Sequence, residues 1–346
     1  MSGGSGGSLA RAESLLELGR HAEAREILAP LATDDGDGHT WCLLSQCDLG
    51  LGHPGRALQA ADQAVAARPD LEWGYRLRSV ALSRLGRHEQ AIAAARDALL
   101  LAPHSWIAHI ALADALIGAG DRPAEAVSVA RSAVGLAPAD AATHFTLARA
   151  QSAAKDEAAA ERSYLKALEI DPSHAPARNN LGVIALRNRR AGKAVDLFSS
   201  SVRANPSLHV AAANTELAVK RLLARICSGL VLGAFVFSVL AAGQRAAPDG
   251  AVASPLLRPA LTLALLGAVL AYVRRTAGRL GWDTVRVLLA RPRVRLSALM
   301  LGVDLLVLLF YGLAPVAVAA GASQVYFWLL VLNVATVLRR SRWRNL

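Results

Sequence analysis

A 34-residue stretch that recurs in register sets the limits on what this chain can fold into. It runs from Glu72 to Ser105 and reads EWGYRLRSVALSRLGRHEQAIAAARDALLLAPHS. With Glu72 as position 1, Tyr75 stands at 4, Ser79 at 8, Leu82 at 11, Gly86 at 15, Ala91 at 20, Ala95 at 24, Ala98 at 27 and Pro103 at 32. Apolar and small residues at helical spacing, split by a glycine and closed by a proline, predict two helices joined by a tight turn. The same marks return in the blocks around it. Gly38–Asp70 has Trp41, Leu44, Ser45, Gly52, Ala57, Ala64 and Pro69. Trp106–Asp140, with one extra residue in its turn, has Leu112, Ala113, Leu116, Gly120, Ala126, Ala133 and Pro138. Ala141–His174 has Leu147, Ala148, Ala160, Tyr164, Ala167 and Pro172, with Lys155 where the others carry glycine. Ala175–Leu208 has Leu181, Gly182, Ala194, Phe198 and Pro206. Leu9–Leu31 keeps Gly19 and Ala24 but has no closing proline, as suits an atypical end unit.

Small residues at positions 8, 20 and 27 let the paired helices A and B approach closely, and larger apolar residues are expected at 7, 11 and 24. Proline at 32 ends helix B, because it lacks an N–H and restricts the residue before it. On these marks the repeat resembles the tetratricopeptide repeat. That resemblance implies an all-α superhelical solenoid of about five to six helix-turn-helix repeats over residues 9–208, with a concave groove lined by helix A. The family's groove positions 2, 5, 9, 12 and 13 carry over to Trp73, Arg76, Arg84, Asp114, Phe145, Arg149, Asn179 and Arg187. Arginines and aromatics on one curved surface suit an extended, acidic-leaning peptide or a C-terminal carboxylate.

Two specialised functions of such repeats do not carry over. The carboxylate clamp of chaperone-binding repeats spreads Lys and Asn over adjacent units, whereas here Asn179 and Asn180 sit together in one. The Ser/Thr glycosyltransferase resemblance would need asparagine at position 6 of successive units, which here reads Leu43, Leu77, Ala111, Thr146 and Asn180.

Outside the repeats the composition changes. Residues 1–8, MSGGSGGS, read as a flexible leader, and 209–225 as a capping helix. Beyond residue 225, apolar runs predict a four-helix membrane domain over 226–346, with spans at about 226–242, 256–273, 296–319 and 322–338. The formal charge of +11 belongs to this part. Residues 1–208 carry 22 basic and 23 acidic side chains, and 209–346 carry 16 and 4. Of those 16, 14 flank the spans on what becomes one side, Lys220–Arg225, Arg274–Arg295 and Arg339–Arg344. Only Arg245 and Arg258 fall on the other. The positive-inside rule then puts the repeats and both termini in the cytoplasm and the chain in a cell membrane as a multi-pass protein. The excess of Arg over Lys and the abundance of Ala read as a high-GC, actinobacterial-looking coding bias.

The repeat part is nearly neutral, so it lacks the basic stripe of a nucleic-acid binder. Cys42, Cys47 and Cys227 make no metal-ligand or disulfide spacing, and no histidine pair or phosphate-binding loop occurs. No catalytic residue, cofactor or metal is assigned, and the chain is expected not to be an enzyme. Asp304 in the third predicted span and Asn333 in the fourth are intramembrane polar candidates, since a buried carboxylate there is costly. The expected function is that of a membrane-anchored adaptor. Its partners would be a cytosolic protein segment in the groove, the lipid bilayer and another integral membrane protein. The alternative is a regulatory or assembly subunit of a transport or secretion complex whose four spans carry the activity.

Overall fold

The computed structural model describes residues 3–32 and 38–222, and beyond them only the helical positions 263, 264, 267, 271 and 274. The predicted spans lie outside the described residues apart from positions 263, 264, 267 and 271, as do Cys227, Asp304 and Asn333 altogether. None of the described helices is long and apolar enough to cross a membrane. The chain forms two compact units, Met1–Pro172 and Ser173–Leu346.

The first unit is a stack of five helical hairpins. They are α1 (Gly3–Glu17) with α2 (His21–Leu28), α3 (Gly38–Gly50) with α4 (Pro54–Ala67) and α5 (Glu72–Arg84) with α6 (His88–Leu101). Then come α7 (Trp106–Ala119) with α8 (Pro123–Leu136) and α9 (Ala141–Ala153) with α10 (Glu157–Ile170). The second unit holds α11 (Ala175–Arg187), α12 (Ala191–Ala204) and the helical stretch 209–222, α13. No strand occurs among the described residues. Residues 3–8, read from the sequence as a leader, are the first turns of α1. A Cβ placed on Gly6 or Gly7 would touch nothing within 4 Å.

Turn chemistry fixes the length of each hairpin. Helix A ends in a left-handed residue, with φ of +71° at Gly19, +75° at Gly52, +73° at Gly86 and +78° at Gly120. In the last two hairpins Lys155 (φ 62°) and Arg189 (φ 57°) take the same conformation without glycine's freedom. In every hairpin but the fourth the N–H of the next residue donates back five residues, as Arg87 to the Leu82 carbonyl at 2.9 Å and Asp156 to the Gln151 carbonyl at 3.0 Å. This is the Schellman closure of a helix. Helix B ends one residue before proline. Arg68, Ala102, Ala137, Asp171 and Asn205 sit at φ between −144° and −122° and ψ between 70° and 95°. That is the extended backbone a following proline requires.

The small register positions are the closest contacts. Ala57, Ala91, Ala126, Ala160 and Ala194 at position 20 are fully buried, as are Ala64, Ala98, Ala133, Ala167 and Ser201 at 27. The expectation of large residues at 11 and 24 holds only in part. Position 24 is Ala61, Ala95 and Ala130 in three hairpins, and Tyr164 and Phe198 in two. The helices pack closely enough for alanine to fill the gap, and the one phenylalanine faces a missing side chain. A Cβ on Gly182, at position 8, would lie 2.5 Å from the Phe198 ring. Position 11 is polar in two hairpins, Asp48 and Gln151. Each is buried with partners: Gln151 accepts a hydrogen bond from the Ser163 hydroxyl at 2.7 Å.

Replacing Lys155 or Arg189 by glycine is expected to stabilise its unit by about 0.5–1 kcal/mol, measured as a rise in the denaturation midpoint. Gly182→Ala is expected to cost about 1–3 kcal/mol by overpacking, with recovery in the Gly182→Ala/Phe198→Leu double variant.

Candidate peptide groove

Within the first unit, each of helices α3, α5 and α7 packs on the next A helix as well as on its flanking B helices. Successive B helices make no comparable contact among the described residues. A stack that is tighter along its A helices curves toward them, which makes the A-helix face the concave one.

Three of the eight residues expected on this face come together. Arg149 on α9 donates from Nη1 to Asp114 Oδ1 on α7 at 2.5 Å. Its guanidinium carbon lies 5.8 Å from the centre of the Phe145 ring, within cation–π range. Phe145 in turn packs on Tyr164 with centroids 5.9 Å apart. Burial pushes the Asp114 carboxyl above the usual carboxylate range, against the downward pull of Arg149.

The remaining five are placed separately. Trp73 is partly buried against the cores of the first hairpins and meets the His39 ring edge-on at 5.2 Å. Arg76 pairs with Glu72 one turn away on α5 at 2.7 Å. Arg84 donates to the Leu49 carbonyl, in the last turn of α3, where intrahelical donors run out. Asn179 belongs to the second unit and is 7% exposed there; its Oδ1 accepts from Asn214 Nδ2 at 3.0 Å. Arg187 stands at the exposed end of α11. Apolar surface accompanies the charges: Val80 at position 9 is 36% exposed and Ile107 at position 2 is 38% exposed.

Sequence reasoning missed Asp48. It is 3% exposed, and its Oδ1 faces Arg25 Nε of α2 at 3.1 Å and Arg56 Nε of α4 at 3.3 Å. The signal lay in the register, because Leu82 and Leu116 occupy the same position in the next hairpins. Three elements thus meet on one carboxylate. The neighbouring Cys47 thiol is pushed up to about 11, first by burial and then by the Asp48 charge. Little thiolate exists there at neutral pH, and Cys42 is buried as well. Among the described residues, no group of His, Cys, Asp and Glu could hold a metal ion.

The family model for the tetratricopeptide repeat matches residues 76–141 and 145–209. A thermophilic repeat protein of this type from Thermus thermophilus is 17% identical. The match covers 52% of this chain and 98% of that one, with a TM-score of 0.50. The Cut9–Hcn1 hetero-tetramer of the APC/C is 18% identical over 62% of this chain and 42% of that one, with a TM-score of 0.52. At such identities the likeness is one of fold. No curated protein matches the sequence. Residues 76–141 and 145–209 thus carry tetratricopeptide repeats, helix-turn-helix units of an all-α solenoid.

Asp48→Ala is expected to cost about 1–3 kcal/mol, because a buried position is emptied and the partly exposed Arg25 and Arg56 lose their shared partner. Asp48→Leu, which restores the apolar residue of the neighbouring hairpins, is expected to be near neutral in chemical denaturation.

Proposed function

We propose that the chain is a membrane-anchored adaptor. Its repeats take up an extended segment of a cytosolic protein, and its C-terminal region holds that protein at the bilayer. The observation that carries the reading is the A-helix face of the first unit. Exposed aliphatic surface at Val80 and Ile107 lies on the same series of helices as a guanidinium, Arg84, whose bond is to a neutral carbonyl, and the Phe145–Arg149–Asp114 cluster. Such a face suits a peptide with aliphatic anchors and acidic groups, because Arg offers forked donors and the apolar patches release water on contact. Solenoids of this class generally bind along their concave side.

Support for the anchor comes from the sequence. The four apolar runs and the one-sided distribution of basic residues favour a topology with the repeats and both termini on the cytoplasmic side of a cell membrane. The reading assigns no catalytic step and no cofactor. A second reading gives the activity to the spans, as part of a transport or secretion complex, and rests on Asp304 within the third of them.

The full chain in native membranes tests both. Alkaline carbonate is expected to leave it in the membrane pellet, and its release would remove the anchor. Crosslinking and pull-down with wild type and an Arg84→Glu/Arg149→Glu variant, matched for folding by circular dichroism, are expected to yield cytosolic partners that only the wild type retains. Identical integral membrane proteins from both, with no cytosolic partner, would move the function to the spans and make Asp304→Asn the next variant.

A further inference from the structure

The Arg149 guanidinium is held but not filled. Its hydrogen bond among the described residues is the one from Nη1 to Asp114, and the rest of its fork meets no acceptor among them. Phe145 supports the plane from one side, and about a third of the side chain reaches solvent. A fork with open donors, fixed by an aromatic ring and a carboxylate from the adjacent A helix, is pre-organised for a second carboxylate.

A second carboxylate on the same guanidinium would stand close to Asp114, and two like charges in a partly desolvated site do not both stay ionised. Asp114 is the one that yields. Burial has already raised its carboxyl, and the incoming group divides the pull of Arg149 that keeps it charged. The other charged groups on the helices packed against α7 do not take over this role. On α5, Arg76 pairs with Glu72 in the same helix, Arg78 pairs with Asp62 and Arg84 bonds Leu49. Arg96 of α6 pairs with Glu125 of α8, and Glu89 with Arg122. Asp97 and Arg131 are exposed on B helices, and His88 of α6 stands against Gly118 near the end of α7, where a Cβ would lie 3.4 Å from its Nδ1. His109 and His144 are held on the Ser105 and Pro138 carbonyls.

We propose that the open fork of Arg149 is a carboxylate-binding subsite of the groove, and that its occupation by an acidic side chain or C-terminus is coupled to uptake of one proton from solvent by Asp114. The coupling rests on the adaptor reading for its location and makes that reading more specific, since it names the ligand group and gives the groove a pH response. The sign follows from the protonation. Binding that takes up a proton tightens as pH falls toward the raised native pKa of Asp114 and weakens as pH rises.

The test uses the full chain in detergent and two pools of C-terminally amidated octapeptides carrying a neutral, pH-insensitive boron-dipyrromethene dye, random over Ala, Leu and Glu in one and over Ala, Leu and Gln in the other. Retention is measured at pH 5.5 and 7.5, where free glutamate is ionised throughout. Wild type is expected to retain the Glu pool over the Gln pool, and about fivefold more of it at the lower pH. Asp114→Asn, an isosteric change, is expected to keep the preference and lose its pH dependence. Arg149→Lys, which keeps the charge without the fork, is expected to lose the preference. Equal retention of both pools overturns the subsite while leaving peptide binding in place. A pH dependence unchanged in Asp114→Asn overturns the coupling. Retention of neither pool, beside a pull-down that still loses its partners in the Arg84→Glu/Arg149→Glu variant, also overturns the subsite and leaves the adaptor standing.

Discussion

Everything described in this chain depends on how closely helices A and B of one hairpin can approach. The contact is made by alanine, serine and glycine at positions 8, 20 and 27, and the alanines there have no exposed surface. Residues this small bury little apolar area each, so one hairpin cannot offset the entropy of its own ordering. Stability has to be shared with neighbours, and the buried residues accordingly group into cores that run from one hairpin to the next. One such core joins Leu82 and Ile92 of the third hairpin to Leu112 and Leu116 of the fourth and Leu147 of the fifth. Close approach also explains why substitutions travel in pairs. Phe198 fills position 24 only because Gly182 leaves its ring room at position 8.

Hydroxyls buried in the same close contact are spent on carbonyls. Ser45 donates to the Ala57 carbonyl at 2.9 Å and Ser201 to the Ala175 carbonyl at 2.7 Å. Asp48 follows this rule at higher cost. Its carboxylate occupies a core position and is compensated by arginines from the hairpin before it and from its own helix B. A charge at that place ties the first hairpin to the second in one register, because any slip would strand it. The Asn179–Asn214 bond does the corresponding work in the second unit, between α11 and α13.

On the inner face the arginines take different parts. Arg84 serves the backbone of the preceding A helix and Arg76 its own helix, whereas Arg149 bridges two A helices and keeps most of its donors open. An arginine-rich surface therefore is not a uniformly receptive one. Its chemistry concentrates where an aromatic ring, a partly buried carboxylate and an unfilled fork coincide, and that place is set by α7 and α9 together.

The sequence by itself determined the repeat, its turns and its ends. Gly86 and Pro103 impose backbone conformations that few other residues accept, and such local constraints can be read without a neighbour. It also determined the outlines of every hairpin from Gly38 to Ala204, since helical periodicity follows from the same chain positions. The start of α1 at Gly3 was not legible in it, because composition alone does not place the first turn of a helix. Tertiary structure decided the rest: that Asp48 sits inside and not on a solvated face, that Trp73 is spent on packing against His39, and that Arg149 finds Asp114 35 residues earlier in the chain. Those outcomes depend on distances between helices that meet only after stacking, and a pair of charges has no periodicity by which a sequence could announce it.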